Sequence, residues 1–587
     1  MQLIRSFILI SYLCSLVDAD ELPQGVSYIS LDSSGNISLY WTLDYDEKYV
    51  KFEVHSPLRV WEWFAIGFSD YGEFYPADYC VLWTGWKWRI KFEDVWTDKD
   101  GNINVDTQQD CKNFDVTFHR TYAKFTFTRK FDTCDNEDYI IEDGTTHIVW
   151  LKGKGPINDV NNLNIDDAYE KGMQRTQLLK NIEIETIKKP KYTRTIEFKV
   201  DQVSVPGSDT TYWCKVIELP EYLDKLHHII EFEAIIQRGN EGLVHHMEIF
   251  HCETSADISI SLYNGPCFNE ERPTDTQVCK KVLAAWAMGA TPFFIPQETG
   301  LRIGGKNFNK FVMMEIHYNN PELKTDYVDS SGMRLYVTSM LRKYDAGVIE
   351  LGLEYTDKMA IPPKQESFTL SGYCIAECTS ISLPPHGITI FGSQLHTHLT
   401  GVQVITRHVR DGRELLELNR DNHYSTHFQE IRLLKRPVVV LPGDALITTC
   451  RYNTQNRENV TLGGFAIKDE MCVNYVYYYP KIELEVCKSS ISYQTLFTYF
   501  RYMNEWENQN TSVNYGISTN YGNIEWNQKR AENLHNLYDD MTLSMQCNAS
   551  TGRRFPGDWE NIPLTRVSYS LPPPMRICKE KKKELNK

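Results

Sequence analysis

The chain has 587 residues, of which 42% are hydrophobic, 24% charged and 12% aromatic, with a formal net charge of −16. Its length exceeds the roughly 250–300 residues that one hydrophobic core accommodates, so two to four domains are expected, and its balance of apolar and charged residues excludes a disordered chain. The acidic surplus argues against nucleic acid or an anionic membrane as partner, because most of this surface repels a polyanion.

Arg5, the apolar run from Phe7 to Val17 and the small-residue end Val17-Asp18-Ala19 read as a secretory signal over residues 1–19, with the mature chain starting near Asp20. The run is shorter than the roughly 18–20 residues of a spanning helix, and no later uncharged stretch reaches that length, so no transmembrane anchor is expected. From about 24 to 152, short alternating runs such as Ile37 to Trp41, Phe52 to His55 and Thr146 to Leu151 are separated by Asp/Gly turns, the pattern of a β-sandwich. Within it, Trp63-Phe-Ala-Ile-Gly-Phe-Ser69 followed by Pro76-Ala-Asp-Tyr-Cys-Val-Leu-Trp83 resembles the DOMON module. Some DOMON modules bind haem through a Met between those strands; Asp70 to Tyr75 contains none, so haem is not expected.

Residues 153–192 read as a linker, with a helix-compatible run from Ala168 to Ile187 and a basic, Pro-containing end at Lys188 to Tyr192. Strands dominate again over 193–355 (Thr195 to Val200, Ile229 to Ile236, Phe311 to Tyr318) and over 356–496 (Ile388 to Leu395, Val473 to Tyr479). Two tandem jelly-roll-like sandwiches are the simplest arrangement. The extension 497–587 is partly helical, clearest at Asn527 to Leu537, and suits a cap on the catalytic unit or a homodimer contact. The fold class is therefore mainly β.

Once Cys14 leaves with the signal, fourteen of the fifteen cysteines remain, an even number in a chain bound for an oxidising compartment. Their spacing is irregular, without paired zinc-type motifs, so disulfides are expected. Sequons at Asn36, Asn459, Asn510 and Asn548 mark sites for N-glycans.

The chemistry-bearing residues are histidines and one methionine. In His396-Thr-His398, residues two apart on a strand share a face, so both imidazoles reach one metal, with Gln394 on the same face. Alone, the pair reads more readily as surface histidines on an edge strand. Met471, in Glu470-Met-Cys472, offers a soft thioether that suits Cu(I) and fits Zn²⁺ poorly, although core packing is the usual fate of a methionine. His245-His246 needs a bulge, or the use of different ring nitrogens, because neighbours on a regular strand face opposite ways. His317 falls in the same proposed domain and is the natural third ligand. His227-His228 is an equal rival on spacing alone.

Leu243-Val-His-His-Met-Glu-Ile-Phe-His-Cys252, Gln394-Leu-His-Thr-His-Leu-Thr-Gly401 and Glu470-Met-Cys-Val-Asn-Tyr475, in that order, resemble the copper type II, ascorbate-dependent monooxygenases, in particular their dopamine beta-hydroxylase-like branch. The resemblance spans nearly the whole chain. It implies two copper ions per subunit: His245, His246 and His317 hold the electron-storing ion, and His396, His398 and Met471 the ion that binds oxygen. It also implies that His227-His228 is not a ligand pair. Thr211-Tyr-Trp-Cys214 matches the segment carrying the family's active-site tyrosine, which makes Tyr212 the candidate, with His396 as its catalytic partner. The family's disulfides map to Cys134–Cys578, Cys214–Cys267, Cys252–Cys279, Cys374–Cys487, Cys378–Cys547 and Cys450–Cys472; Cys80 and Cys111 are left to pair with each other.

The implied reaction uses O₂ and ascorbate to hydroxylate a C–H bond, such as the benzylic carbon of a phenethylamine-like small molecule, in the secretory pathway. A hydroxylase of peptide C-terminal glycine is a rival within the superfamily, and a catalytically silent copper-binding or interaction protein is a rival outside it. Inside the branch, the cleavable signal without a longer anchor tilts the reading toward the hydroxylase-like group over true dopamine or tyramine hydroxylases.

Overall fold

The computed structural model describes residues 25–572 apart from 33, 180–188, 289, 321, 541 and 550, together with Arg576 and Cys578. The expected signal at 1–19 lies outside the described residues. Three sandwiches follow one another along the chain.

In the first, a five-stranded sheet ordered Ser27–Ser30, Ser38–Asp44, Tyr49–Ser56, Tyr122–Lys130, Lys112–His119 faces a six-stranded sheet ordered Ala168–Thr176, Thr146–Gly153, Trp63–Ser69, Ala77–Thr84, Ile90–Thr97, Ile103–Val105. Alternation sets the faces: Tyr49–Ser56 buries Val50, Phe52 and Val54 while Lys51 reaches water. Trp63–Ser69 and Thr146–Gly153 are buried throughout, because Val160, Leu163 and Ile165 from the following segment cover Trp63, Ala65, Val149 and Leu151 on the outer side.

One expectation fails here. The run beginning at Ala168 is not helical: Ala168–Thr176 is a strand paired antiparallel with Thr146–Gly153, so the first module extends into the proposed linker. Gly172 lets the backbone approach Trp150, whose indole lies 2.7 Å from where a Cβ would stand. The ladder and this packing outweigh weak helix propensity. Gln177, Leu178 and Leu179 of that run are not helical either, and 180–187 lie outside the described residues.

The second sandwich sets Thr193–Lys199, Gly332–Thr338, His227–Ile235, Thr299–Ile303 and Tyr344–Asp345 against Asn264–Pro266, Thr210–Glu218, Phe311–Asn319, Val244–Cys252 and Cys279–Ala287. The third sets Arg432–Val440, Ile388–His396, Val473–Tyr479, Gly347–Leu353, Leu484–Ile491 and Leu543–Ala549 against Phe368–Cys374, Ala445–Tyr452, Gly401–Arg410 and Arg413–Glu414. Gly347–Leu353 pairs with Val473–Tyr479, so the third unit begins before the boundary expected at 355. The core of the second sandwich runs on into Phe391, Ile431 and Tyr477 of the third, which fixes the two units face to face.

Helices Tyr493–Glu505, Ile517–Gly522 and Gln528–Asp540 pack Leu496, Phe500, Met503, Tyr521 and Leu534 onto Leu370, Leu395 and Tyr452, capping the third sandwich. Seven disulfides join all fourteen described cysteines in the expected pairs, with Cys80–Cys111 closing the first module. Asn36, Asn459 and Asn510 are exposed, whereas Asn548 is half-buried in an edge strand. Among the described residues no helix is long and apolar enough to cross a membrane.

Candidate metal centres

Strand Val244–Cys252 pairs with Phe311–Asn319, and the register shifts between Val244 and His246. That bulge at His245 lets both histidines of the dipeptide turn toward His317, the cross-strand partner of His246. Nδ1 of His246 lies 3.1 Å from Nδ1 of His245 and 3.3 Å from Nδ1 of His317. These are separations that nitrogens take when bound about 2.0 Å from one ion. Facing lone pairs repel unless a cation lies between them, so the donor set fits a metal. His317 Nε2 is buried without a hydrogen-bond partner among the described residues. Burial, reinforced by the neighbouring histidines, pushes His246 down to about 3 and holds His245 well below the usual imidazole range; burial and His427 bring His317 to about 4. All three rings are therefore neutral, the form that ligates.

The second set uses the other ring nitrogens. His396 Nδ1–H donates to Gln429 Oε1, and His398 Nδ1–H donates to the Asp469 carbonyl at 3.0 Å. Both acceptors fix the tautomer and leave each Nε2 with a free lone pair. The rings are 5.2 Å apart and nearly perpendicular. The spacing predicts that His398 shares a strand with His396, and it does not: the strand Ile388–His396 ends first. The chain is drawn out of the sheet because Thr397 N–H bonds to Tyr424 Oη and because His398 N–H and Thr400 N–H both bond to Glu470.

Glu470 is buried, and its carboxylate accepts from His398 N, Met471 N, Thr400 N and Thr400 Oγ1 at 2.6–3.0 Å. Burial raises its pKa while those donors pull the other way; a site offering only donors is a site for a carboxylate. Met471 is buried beside it, its carbonyl held by Tyr452 Oη at 2.8 Å and its neighbour Cys472 tied to Cys450. A weak thioether ligand thus sits on a backbone fixed on both sides.

His396 is near enough to His246 to add to the depression of its pKa, and Glu248 is near enough to Tyr475 and Tyr477 of the third sandwich to raise theirs. Cross-strand register places Tyr212 beside His317 beside His246, and Cys214 beside Glu315 beside Glu248, on one face of the second sandwich. Burial pushes Glu248 up to about 8, with Glu315 adding to it, and Glu315 up to about 7. In the third sandwich, the Tyr475 ring lies 6.2 Å from that of His396.

Tyr212 stacks on His317 at 4.4 Å, parallel within 4°, so its partner here is the three-histidine set and not His396. The rival pair is excluded: His228 lies on the other sheet of the second sandwich, with Nε2 2.8 Å from Asp345 and Nδ1 accepting the Arg342 N–H, so both nitrogens are engaged. Sequence reasoning missed the segment between Asp421 and Arg432. His427 presents its ring to His245 at 5.5 Å, and two residues on Gln429 orients His396 while Gln394 Nε2 braces the Gln429 carbonyl at 3.0 Å. The clustering of polar residues and histidines in Asp421-Asn-His-Tyr-Ser-Thr-His-Phe-Gln-Glu430 was the available signal.

Family models match the chain in three places: the copper type II ascorbate-dependent monooxygenase N-terminal domain over residues 196–325, the C-terminal domain of the same family over 344–500, and the DOMON domain over 33–153. The chain is 44% identical over 553 residues to dopamine beta-hydroxylase of Homo sapiens, covering 94% of this chain and 89% of that protein. It is 38% identical to tyramine beta-hydroxylase of Caenorhabditis briggsae, covering 91% of each. To DBH-like monooxygenase protein 1 of Homo sapiens it is 34% identical, covering 78% of this chain and 74% of that protein.

Proposed function

The chain belongs to the copper type II ascorbate-dependent monooxygenase family, and on that premise we propose that it binds two copper ions and hydroxylates the benzylic carbon of a phenethylamine-like substrate between its second and third sandwiches. The observation that supports this reading most directly is the convergence of His245, His246 and His317 through Nδ1 at 3.1–3.3 Å, beside a second pair, His396 and His398, whose Nδ1 atoms are engaged so that Nε2 is free. The net change is R–H + O₂ + 2e⁻ + 2H⁺ → R–OH + H₂O, with ascorbate as the electron source.

When bound, copper supplies one-electron transfer and the activation of O₂. His245, His246 and His317 would hold the electron-storing ion through Nδ1. His396, His398 and Met471 would hold the oxygen-reacting ion, where the thioether favours the reduced state. Gln429 and Asp469 keep the Nδ1 protons of His396 and His398 in place. Tyr212 fixes the plane of the His317 ring. Glu248 and Glu315 share one face of the second sandwich, where a substrate ammonium group would supply the counter-charge that ionising either carboxyl requires. Tyr475 offers an aromatic wall opposite.

Higher identity to the amine hydroxylases than to the DBH-like protein favours an amine substrate over the hydroxylase-like group toward which the leader tilted the sequence reading. Fourteen cysteines in seven disulfides support a secretory-pathway enzyme, with glycans on the exposed sequons. The converging Nδ1 atoms of the first set and the fixed tautomers of the second support copper binding, and turnover separates the enzyme from a silent copper binder. The test is metal analysis followed by a mass-spectrometric product screen with tyramine, dopamine and a phenyl compound lacking the amine, in the presence of ascorbate. Two coppers and hydroxylation of the amines alone are expected. A fully loaded protein that turns over no amine overturns the proposal.

A further inference from the structure

The turn between Ala77–Thr84 and Ile90–Thr97 reads Gly85-Trp-Lys-Trp-Arg-Ile-Lys91, and residues 86–91 are all exposed. Trp86 is 66% and Trp88 64% exposed, and neither indole makes a ring contact or a side-chain hydrogen bond among the described residues. The turn is closed by Trp88 N–H to Gly85 O at 2.8 Å and Gly85 N–H to Arg89 O at 3.0 Å, which holds it as a projecting hairpin. Trp88 adopts φ +56°, a left-handed position that disfavours a bulky side chain. About two-thirds of each tryptophan is thus left in water.

The hairpin does not stand alone. Thr84 Oγ1 donates to Val60 O at 2.5 Å, which brings Trp61, 40% exposed and covered by the Arg59 guanidinium, to its flank. Lys87, Arg89 and Lys91 supply three cations with no acidic residue among 85–91. The nearest carboxylates are engaged: Glu93 accepts from Trp83 Nε1 and Lys91, and Glu62 accepts from Arg59 N and Tyr169 Oη.

We infer that residues 85–91 are a peripheral membrane-binding element that seats Trp86 and Trp88 at the headgroup level of an anionic lipid surface. Indoles prefer that interface and flanking cations meet the lipid phosphates and carboxylates. The net charge of −16 pointed away from such a partner, but it averages over a surface on which this one hairpin is locally cationic. A carbohydrate partner is disfavoured because recognition of sugar hydroxyls needs carboxylate or amide side chains beside the rings, and 85–91 has none.

The test uses the full secreted chain, purified from culture medium, sedimented with vesicles of phosphatidylcholine alone or mixed with phosphatidylserine. Binding is expected to the mixed vesicles only, weakening as salt rises. Each cation near the surface contributes about a fivefold change in partitioning, so Lys87→Gln/Arg89→Gln should bind about 30-fold less tightly. Trp86→Ser/Trp88→Ser should also release the protein and abolish quenching of its fluorescence by brominated lipid. Unchanged amine hydroxylation in both variants shows that they fold. Equal binding to the two vesicle types, or variants that sediment like the parent, overturns the inference. So does binding of an oligosaccharide or a second copy that depends on Trp86 and Trp88 without any vesicle binding.

Discussion

His398 and Met471 donate their backbone N–H groups, at 2.9 and 3.0 Å, to the same carboxylate oxygen of Glu470. The other oxygen takes both donors of Thr400. Two candidate ligands separated by more than seventy residues are thus registered against each other by one buried side chain. Glu470→Gln keeps the shape but turns an NH₂ toward two donors. It should destabilise the fold by about 1–3 kcal/mol and weaken copper at the methionine-containing site by about 10–100-fold, the usual scale for a residue that supports ligands. The three-histidine site should titrate normally. Equal loss at both sites in a copper titration would mean that Glu470 serves the fold alone.

The proposed division of labour makes the ligand variants asymmetric. His317→Ala removes one of three converging Nδ1 donors; His396→Ala and Met471→Ala act on the other set. Each should leave a folded chain with copper in the remaining site, and each should lower turnover by at least about a thousandfold, because the two sites act as a unit. Metal content and single-turnover product formation read the two effects separately. Full activity in purified Met471→Ala or His396→Ala sinks the assignment.

Docking of the first module should respond to pH through His423, which sits 3.5 Å from both Asp70 and Glu142 and beside Tyr139 and Tyr71. Burial lowers its pKa, but Glu142, Asp70 and Asp421 outweigh that and raise it above the usual imidazole value. His147, which His423 also faces, is held neutral, chiefly by burial. A histidine whose folded pKa is raised contributes its stability in full below about pH 6.5, and the contribution fades as pH climbs through the folded value. Hydrogen-exchange protection factors over residues 139–145, with the intrinsic base-catalysed rate divided out, should therefore be higher at pH 5.5 than at pH 8, and His423→Gln should flatten the difference. An unchanged profile in His423→Gln removes this histidine from the account.

What the sequence disclosed depended on separation along the chain. The bulge that His245-His246 demands could be stated from the dipeptide and is found where the register shifts. The β-sandwich modules were legible from alternation, and the ligand types from their motifs. Glu470, Gln429 and Asp469 were not legible as supports, since each bonds to a residue brought near only by folding. Ala168–Thr176 was misread because its propensities are weak and the deciding contact, Gly172 under Trp150, lies on another strand. His398 was assigned to a strand that ends two residues earlier, because spacing cannot register the pull of Glu470.

Gly144 joins the first module to the segment whose His427 and Gln429 contact His245 and His396 of the two candidate metal sites. Its φ is +110°, and a Cβ there would stand 2.8 Å from Asp421 Oδ1 and 3.2 Å from Asp421 Cα. Asp421 is buried and accepts from Thr145 N, Thr145 Oγ1 and Arg432 at 2.7–3.0 Å, so the loop cannot shift without breaking that network. Gly144→Ala should cost about 2–4 kcal/mol of docking, combining backbone strain with lost hydrogen bonds to a charged group. Gly35 is the control: its φ is +70° with nothing within 4 Å of an added Cβ, so alanine there meets the backbone penalty alone. Because Cys134–Cys578 still tethers the module, the Gly144 variant should remain one chain with a lowered melting transition and faster proteolysis at residues 142–145. Turnover should fall with it, since Asp421 and Arg432 flank the residues that present Gln429 to His396. A Gly144→Ala protein that melts, resists protease and turns over like Gly35→Ala would show that the first module rests on the copper units without influencing them.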